Sequence, residues 1–485
     1  MAKKIFFIMR PNEFKFLFLI LILFSFIKYE NNYCSVGQKK NKNKKGWEQL
    51  PSILKKIKAP KFSDKEFLIT KYGTVADQVT NNKHAFDQAI LDCSKAGGGK
   101  IIIPKGNYFV KGPIHLKSNV NLHLEKDAVI KFSTDPDDYL PVVFTRWEGM
   151  ECYNYSPLIY ALGQENIAIT GEGTLDAQAN ESNWWTWKGN KSYGWKDGMP
   201  SQSDSIGRPL LVKMNNQQMP VEERIFGKGH YLRPNFLQLI NCKNVLIEGV
   251  TFLNSPMWVI HPVLCENVII KNVSTIGRGP NTDGCDPESC KNVLIKNCYF
   301  KNGDDCIAIK SGRNYDGRRI NIPSENIIIQ NCRMSDGHGG VTIGSEISGG
   351  CRNVFAENCE MDSPDLDRAI RIKANTYRGG TVENVFVRNI KIGEVNDTVL
   401  HFDMQYEPAE GKSGAFIPVW KNINISKVTS KKSNQAIFFV GLDQSHIYNI
   451  KIEDSRFEGA QKESTVINVD RLVFKDTYIN GRLFN

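Results

Sequence analysis

The chain has 485 residues, of which 41% are hydrophobic and 24% are charged, and this composition excludes an intrinsically disordered protein. The formal net charge of +10 lies in residues 1–60, which hold 13 of the 62 Lys and Arg but 3 of the 52 acidic residues. The rest of the chain is neutral, which disfavours a basic nucleic-acid-binding domain, so no nucleic acid partner is expected. Any attraction for an acidic ligand must come from a local cluster of charges.

The N-terminus has the pattern of a secretory signal peptide, which we assign to residues 1–33. Residues 16–27 are apolar except for Ser25, and Lys and Arg residues precede them. Because a bilayer span needs about 20 apolar residues, we expect no membrane span, and a short buried helix is the structural alternative. Cys34 is a candidate for a lipid anchor. We therefore expect an exported protein of the periplasm, the cell surface or the extracellular space.

A basic linker is predicted at residues 34–60, and one folded domain at residues 61–485. Residues 39–45 read KKNKNKK, a run that is more typical of a solvated segment than of a binding patch. One amphipathic helix is predicted at residues 80–95, and residues 97–99, all glycine, end it. We expect this helix to cap the N-terminal end of a repetitive domain, where an open core would otherwise be exposed.

From about residue 240 one short unit recurs, beginning Lys243-Asn244-Val245-Leu246-Ile247. Its anchor residues are Asn244, Asn267, Asn292, Asn326, Asn353, Asn384 and Asn422, with fainter copies at Asn166 and Asn119. A period near 25 residues, with β-branched residues and insertions of variable length, indicates a solenoid.

Each unit holds about three short strands and no pattern of helical length, so the fold is predicted to be all-β. Such coils stack in parallel, and the recurring Asn can form a ladder of side-chain amides along the stack. This predicts a parallel β-helix. A β-propeller is the structural rival, but it needs about 40 residues per blade, longer than most of these repeats.

The cysteines of the repeat are predicted to be buried small residues rather than disulfide partners. Cys242, Cys298, Cys332 and Cys359 each follow an Asn and are expected to form one column in the stack. Export would usually favour disulfides. The spacing leaves open a pairing of Cys285 with Cys290 or Cys306.

Four short motifs fall in successive coils and carry the candidate chemistry. They are Asn281-Thr282-Asp283-Gly284, Gly303-Asp304-Asp305-Cys306, Gly337-His338-Gly339-Gly340 and Arg371-Ile372-Lys373. Asp283 and Asp305 are about one coil apart, and His338 and Arg371 each follow after one coil plus a loop. Because Arg371 and Lys373 are two residues apart on a strand, both side chains leave the same face. The stack therefore gathers three carboxylates, one imidazole and two cations on one wall.

Each motif alone has an ordinary structural explanation. The Asp-Gly pair is a common turn sequence, Asp304 and Asp305 could cap a turn or bind calcium, His338 could stack between glycines, and alternating charges usually face solvent. All four motifs in one register are harder to explain in this way, because closely packed acids repel one another. The combination favours a functional site.

The order of the four motifs resembles that of a glycoside hydrolase of the polygalacturonase family, family 28, in its bacterial exo-acting branch. The resemblance runs from about Trp47 to the C-terminus and includes residues 69–73 and 96–100, which resemble the opening of pectin-lyase-like domains. It implies a right-handed parallel β-helix with no cofactor and no metal. It also implies a pectic polysaccharide or oligogalacturonide as substrate.

By motif position, the resemblance implies that Asp304 is the general acid and that Asp283 and Asp305 hold and deprotonate the attacking water. The neighbouring negative charges are expected to raise the pKa of the acid, and an inverting pair is expected to lie about 6.5–9.5 Å apart. His338 is expected to tune the acid. Arg371 and Lys373 are expected to bind the carboxylate of a uronic acid, and Tyr377 to line the cleft.

The interval from Asn166 to Asn244 is far longer than one coil and contains Trp184, Trp185, Trp187 and Trp195. These rings could stack on sugars or clamp the loop onto the solenoid. Residues 340–350 resemble the exo-acting branch, so we expect an exo-acting galacturonidase that is a monomer. Three alternatives stay open: a rhamnogalacturonan-type hydrolase, a calcium-dependent pectate lyase, and a non-catalytic polysaccharide-binding β-helix.

Overall fold

The repeated unit places the same residues at the same level of every coil, and this repetition builds the fold. The computed structural model describes residues 46–406 and 414–484. Val245 pairs in parallel with Val268, and the register continues through Val293. The buried ladder then continues through Ile327, Val354, Val385, Ile423 and Ile450. The anchor sequence Asn-Val therefore marks one rung of a stack.

The first half of the described chain contains short strands. They are β1 Glu66–Leu68, β2 Asp77–Asn81, β3 Gly99–Ile103, β4 Gly106–Val110, β5 Ile114–His115, β6 Val120–Leu124, β7 Ala128–Phe132, β8 Val143–Trp147, β9 Met150–Asn154, β10 Ile159–Leu162, β11 Glu165–Gly171, β12 Thr174–Asp176, β13 Leu237–Ile240, β14 Lys243–Glu248, β15 Thr251–Leu253, β16 Ile260–Val263, β17 Glu266–Lys271 and β18 Ser274–Gly277.

The second half continues the same pattern with two longer strands. Its strands are β19 Lys291–Lys296, β20 Tyr299–Asn302, β21 Ile307–Ile309, β22 Ser324–Gln330, β23 Arg333–Met334, β24 Val341–Gly344, β25 Cys351–Glu357, β26 Glu360–Met361, β27 Arg368–Lys373, β28 Thr381–Glu394, β29 Thr398–Asp403, β30 Val419–Val440, β31 Ile447–Glu453, β32 Arg456–Phe457, β33 Ala460–Lys462, β34 Thr465–Ile467, β35 Val469–Lys475, β36 Thr477–Ile479 and β37 Arg482–Phe484.

Four α-helices and several 3-10 helices lie outside the coils. The α-helices are α1 Leu50–Leu54, α2 Lys83–Lys95, α3 Arg208–Asn216 and α4 Asn314–Ile320. The 3-10 helices are Gly46–Gln49, Ile69–Tyr72, Pro136–Tyr139, Trp184–Lys188, Lys191–Tyr193 and Val221–Glu223. No helix in the described ranges is long and apolar enough to cross a membrane.

The strands form three parallel columns, one on each face of a right-handed β-helix. One column runs β1-β3-β6-β11-β14-β17-β19-β22-β25-β28-β30-β31-β35. A second runs from β2 through β4, β7, β12, β15, β18, β20 and β23 to β26 and beyond. The third begins with β5-β10-β13-β16 and continues as β21-β24-β27-β29-β30. The predicted all-β solenoid is confirmed, and these columns exclude a propeller.

The predicted Asn ladder is present along the first column. Asn326 Nδ2 donates to Asn292 Oδ1 at 2.9 Å, and Asn353 Nδ2 donates to Asn326 Oδ1 at 3.1 Å. The same contact joins Asn384 to Asn353 and Asn422 to Asn384. Each of these residues has a φ between 58° and 59°. Asn tolerates this left-handed conformation, so one residue type supplies both the turn and the ladder.

Helix α2 caps the N-terminal end of the stack, as predicted. Its buried residues are Ala85, Phe86, Ala89, Ile90 and Cys93, the expected apolar face. It begins at Lys83 rather than at residue 80, because residues 77–81 form strand β2. Gly98, just beyond its C-terminal end, has a φ of 101°, and a Cβ there would lie 2.4 Å from the Asn119 carbonyl oxygen. Gly98 is therefore required by both conformation and space.

The folded body begins at Gly46, within the segment predicted to be a linker at residues 34–60. Leu50, Ile53 and Ile57 are buried against an outward-facing apolar stripe of the first column, which includes Leu246 and Phe355. Residues 46–57 are thus a packed strap. The predicted signal peptide, Cys34 and the basic run at residues 39–45 lie outside the described residues.

The cysteines form two columns rather than one. All eleven in the described ranges are free and buried, including Cys285, Cys290 and Cys306. Cys298, Cys332 and Cys359 precede the paired residues Tyr299, Arg333 and Glu360 and therefore stack. Cys242 instead stacks with Cys265 and Cys290, because the residues that follow them pair in the first column. The prediction of a single column was wrong, since an Asn-Cys pair occurs at two different turns.

Candidate active site

The stacked coils bring the three candidate carboxylates together. The amide of Gly284 donates to the Asp305 carbonyl at 2.9 Å, which sets the coil of Asp283 beside that of Asp304 and Asp305. One carboxylate oxygen of each aspartate lies within 4.8 Å of the other two. This spacing is shorter than the expected 6.5–9.5 Å. The adjacent coils are only about 4.8 Å apart, and so are the side chains that they carry.

His338 pairs directly with Asp304. Its Nδ1 lies 2.9 Å from Asp304 Oδ1, and the imidazole is about half exposed. The charge of Asp304 raises the pKa of His338 to about 9. Burial opposes ionisation of Asp304, but the charges of His338, Lys373 and Lys310 outweigh it and lower the pKa of this carboxyl. The lowered pKa is opposite to the expected direction, because cations rather than other carboxylates dominate around Asp304.

Arg371 and Lys373 leave strand β27 on one face, as predicted, and both contact Asp305. Lys373 Nζ lies 2.8 Å from Asp305 Oδ2, and Arg371 Nη1 lies 3.4 Å from Oδ1. Thr342 Oγ1 also donates to Oδ1, at 3.0 Å. Burial opposes ionisation, but Lys373 and Arg371 lower the pKa of Asp305 overall. Asp305 is therefore a buried carboxylate that stays ionised.

Behind Asp283 lies a buried acid and a buried lysine that the sequence interpretation did not single out. Lys310 Nζ lies 3.5 Å from both Asp283 Oδ2 and Asp286 Oδ1, and 3.3 Å from Glu346 Oε2. Burial raises the pKa of Asp286 to about 8, and burial together with the charges of Asp286 and Asp304 raises that of Asp283 well above its ordinary value. This half of the site therefore holds a proton at neutral pH.

These side chains open into a cavity of about 450 Å³. Among the described residues, its lining comprises Glu148, Lys188, Gln202, Ser203, Arg208, Trp258, Asn281, Asp283, Asp304, Asp305, Lys310, Arg313, His338, Ser345, Glu346, Arg371, Lys373 and Tyr406. All six charged candidates of the four motifs belong to this set. The four motifs therefore form one site.

The predicted aromatic residue is not part of this lining. Tyr377 lies outside the cavity, where its backbone amide donates to Asn375 Oδ1 and its carbonyl accepts from Arg318. Tyr406 lines the cavity instead, with its ring centre 5.5 Å from Lys373 Nζ and 5.7 Å from the Arg371 guanidinium. The loop after β29 supplies the aromatic face rather than the loop after β27.

Three of the four tryptophans of the long insertion, Trp184, Trp185 and Trp187, clamp it onto the solenoid, the second of the two alternatives. Trp184 is buried and packs edge-on against Trp187, and Trp185 Nε1 donates to the Ser255 carbonyl at 2.9 Å. Neither these three nor Trp195 lines the cavity. Trp258 does line it, 4.4 Å below Lys310 Nζ. The clamp holds the insertion beside the acids.

The β8–β9 hairpin and the insertion supply part of the cavity lining, a set we call the closed wall: Glu148, Lys188, Gln202, Ser203 and Arg208. Glu148 Oε2 accepts from Arg208 Nε at 2.7 Å and from Arg313 Nη1 at 2.5 Å. Burial opposes its ionisation, yet Arg208 and Arg313 lower the pKa of Glu148 to about 2. No motif marks these residues, because they lie far apart in sequence.

The three aspartates are also a possible cation site by geometry, but their surroundings do not fit one. Lys310, Lys373, Arg371 and His338 already neutralise them at distances of 2.8–3.5 Å. A calcium ion needs six to eight oxygen ligands and no adjacent cations. The donor set fits acid–base chemistry better than it fits a metal.

Comparison with known proteins agrees with this geometry. The model of the family Glycosyl hydrolases family 28 matches residues 226–476, and a rhamnogalacturonase A/epimerase, pectate lyase-like model matches residues 67–133. The crystal structure of a hyperthermoactive exopolygalacturonase from Thermotoga maritima superposes with a TM-score of 0.86 and 44% identity, covering 90% of this chain and 96% of that one.

Two curated relatives give the same family from sequence. A probable polygalacturonase from Vitis vinifera is 28% identical over 82% of this chain and 75% of its own length. An exo-poly-alpha-D-galacturonosidase from Dickeya chrysanthemi is 26% identical over 79% of this chain and 65% of its own. With the match over more than half of the chain and the acids stacked as the motifs predict, the protein belongs to glycosyl hydrolase family 28.

Proposed function

We propose that the protein is an exo-acting polygalacturonase that releases the non-reducing terminal galacturonate from pectic chains. The observation that carries the proposal is the contact of Asp305 with both Arg371 and Lys373 beside Asp304. It joins hydrolytic carboxylates to cations suited to a sugar carboxylate. The Thermotoga maritima and Dickeya chrysanthemi relatives bear exo-acting names, which supports the same mode here.

In this mechanism Asp304 protonates the glycosidic oxygen and Asp305 takes the proton of the attacking water. Asp304 and His338 share one proton across their 2.9 Å contact, so the imidazolium can resupply the acid. Asp283, whose pKa is raised by burial and by Asp286, holds the water as a protonated hydrogen-bond donor or acceptor. The roles of the three acids therefore differ because their surroundings differ.

We propose inversion at the anomeric carbon in spite of the short carboxylate spacing. A water molecule with hydrogen bonds of about 2.8 Å bridges two oxygens that are as much as 4.8 Å apart. Asp283 and Asp305 can thus hold a water without the wider gap usual for inverting enzymes. Proton NMR of the first product released will show the β anomer if this is correct and the α anomer if Asp305 acts as a nucleophile.

We infer exo action from the closed wall, whose residues line the cavity beside the acids and would end the groove there. A chain that cannot extend past Glu148 and Arg208 can present only its terminal residue for hydrolysis. The measurement is the product pattern on polygalacturonate. Monogalacturonate alone from the earliest time points supports exo action, whereas a ladder of oligomers contradicts it.

Specificity also depends on the sugar that is linked to the terminal galacturonate. The rhamnogalacturonase-like match at residues 67–133 covers the cap, not the acids, so a rhamnogalacturonan substrate is the alternative. Hydrolysis of rhamnogalacturonan oligomers in preference to oligogalacturonides would favour that alternative.

We further propose that the protein is exported, on the basis of the apolar run at residues 16–27, and that it acts as a monomer. N-terminal sequencing of protein from whole cells should find that residues 1 to about 30 are absent. Fatty acid on Cys34 would identify a lipid-anchored form. Met1 on soluble cytoplasmic protein contradicts export.

A further inference from the structure

Lys188 of the closed wall and the neighbouring Arg233 carry positive charge that the proposed chemistry does not use. Lys188 Nζ and Arg233 Nη2 both donate to Asn281 Oδ1, each at 2.8 Å. This acceptor is a neutral amide. Among the described residues, neither Lys188 nor Arg233 forms an ion pair, that is, a contact with a carboxylate oxygen within 4 Å. Glu148 and Asp304 act on both cations only from a greater distance. Burying a cation without a direct ion pair is costly, so the arrangement favours an anion in the cavity.

Lys188 is the member of this pair that reaches the cavity. It is half-buried and lines the cavity, whereas Arg233 is fully buried and bonded to the backbone carbonyls of Pro256 and Pro280. Burial and the charge of Arg233 lower the pKa of Lys188. An anionic group of the substrate beside Nζ would offset both effects.

Arg208 adds further donors at the same wall. It contacts Glu148 through Nε, and this bond does not involve its two terminal nitrogens. The Arg208 side chain is partly exposed where it lines the cavity. A guanidinium that is held through Nε leaves its two terminal nitrogens available to donate to a planar carboxylate.

Lys188 and the pair Arg371 and Lys373 lie on opposite sides of the acids along the stack. Asn281, which Lys188 contacts, belongs to the coil of Asp283, and Cys285 of that coil bridges to Ile307. Strand β21 then pairs with β24, and β24 pairs with β27, which carries Arg371 and Lys373. The two basic clusters are therefore separated by the coils that carry Asp304 and His338.

We propose that Lys188, assisted by Arg208, binds the carboxylate of the terminal galacturonate, while Arg371 and Lys373 bind that of the next residue. This inference rests on the proposed function and deepens it. The enzyme then requires an acid on both sugars that flank the scissile bond. Rhamnogalacturonan, which places a neutral sugar next to galacturonate, satisfies only one of the two clusters.

The test compares Lys188→Met with the wild type on three disaccharides. The first is digalacturonate, the second has galactose in place of the non-reducing galacturonate, and the third has galactose in place of the reducing one. Loss of a charge-assisted hydrogen bond costs roughly ten- to hundred-fold in kcat/KM. We expect Lys188→Met to lose this factor on the first and third substrates but little on the second, and Lys188→Arg to recover part of it.

Lys191→Met is the matched control, because Lys191 lies in the same insertion but is exposed and paired with Asp197. It should behave as wild type on all three substrates. Arg208→Gln is the second variant, and we expect it to lose activity on the first and third substrates but little on the second. It decides the question if Lys188→Met does not fold. Equal losses on the first two substrates, or no loss, overturn the inference. A wild type that hydrolyses neither digalacturonate nor polygalacturonate instead overturns the proposed function.

Discussion

His338 and Asp304 hold one proton between them: Nδ1 of the imidazole lies 2.9 Å from Oδ1 of the carboxylate, and the two pKa values are shifted in opposite directions. His338 stays protonated up to about pH 9 because Asp304 is ionised beside it. The general acid of this site is therefore better described as a pair. Its proton is available at a pH at which an isolated carboxyl group would have lost it.

The pair predicts the basic limb of the pH profile. The pKa of His338 is raised to about 9, so kcat/KM of the wild type should fall as the pH rises through about 9. In His338→Gln, Asp304 must hold the proton alone, and the limb should move to lower pH. His446→Gln is the control, because His446 forms a similar contact with Asp470 on the far C-terminal coils. A basic limb that is unchanged in His338→Gln contradicts the shared proton.

The same raised pKa makes a stability prediction of defined sign. A His with a pKa above its unfolded value contributes stability below about pH 6.5, and this contribution is lost as the pH rises through about 9. The melting temperature of the wild type should therefore exceed that of His338→Gln by more at pH 6 than at pH 10. A difference that is constant with pH would mean that the imidazolium does not interact with Asp304.

Asp304→Asn should reduce hydrolysis by roughly 10²–10⁴-fold, the usual effect of losing a general acid. The amide has nearly the same shape but cannot supply the proton. Turnover of digalacturonate is the measurement, with circular dichroism to verify the fold. Asp365→Asn is the control, because Asp365 is exposed and pairs with Arg278 outside the cavity. Wild-type turnover by Asp304→Asn would remove this residue from the mechanism.

The Asn ladder should contribute measurably to folding. Asn326 makes one amide contact upward and one downward and has a φ of 59°. Asn326→Gly keeps the left-handed turn but loses both hydrogen bonds, at about 0.5–1.5 kcal/mol each. Asn326→Ala loses the bonds and adds about 1–2 kcal/mol of backbone strain. Urea unfolding should therefore rank Ala below Gly and Gly below the wild type, and equal stability of the two variants would contradict the strain.

The repeat and the motif spacing were enough to predict the fold and the meeting of the four motifs on one wall. A coil of about 25 residues fixes which side chains stack, so Asp283, Asp305, His338 and Arg371 could be aligned by counting. The amphipathic pattern of residues 80–95 likewise predicted the buried face of helix α2. Counting failed where a residue type recurs at two turns of the coil, which is why Cys242 was assigned to the wrong column.

The closed wall and the aromatic face could not be predicted in this way. Glu148 and Arg208 come from segments whose path is set by packing of the insertion and not by the repeat, and Tyr406 follows a strand in a different coil from Tyr377. Lys310 could have been predicted from the sequence. It follows directly after the apolar strand Ile307-Ala308-Ile309, where a buried charged side chain needs partners. A buried lysine after such a strand is a signal that spacing rules alone do not use.

Lys373 should affect both substrate recognition and stability. It is buried, with its Nζ 2.8 Å from Asp305 Oδ2, so it is not the exposed charge that an alternating strand pattern would predict. Lys373→Met should lose roughly ten- to hundred-fold in kcat/KM on digalacturonate and much less on the disaccharide with galactose at the reducing position. Equal losses on the two substrates would mean that Lys373 does not recognise the carboxylate.

The stability change of Lys373→Met should depend on pH with a sign set by Asp305. The pKa of Asp305 is lowered in the folded protein, so its ion pairs contribute stability above its unfolded pKa of about 3.9, and the contribution is lost as the pH falls through the folded value. We expect the variant to be about 1–3 kcal/mol less stable at pH 7, since Arg371 and Thr342 still contact Asp305. The deficit should shrink towards pH 3.

Lys432→Met, which breaks an exposed pair with Glu394, is the control and should change stability by less than about 1 kcal/mol. A deficit of the same size at both pH values would show that Lys373 stabilises the fold through its packing and not through the charge of Asp305.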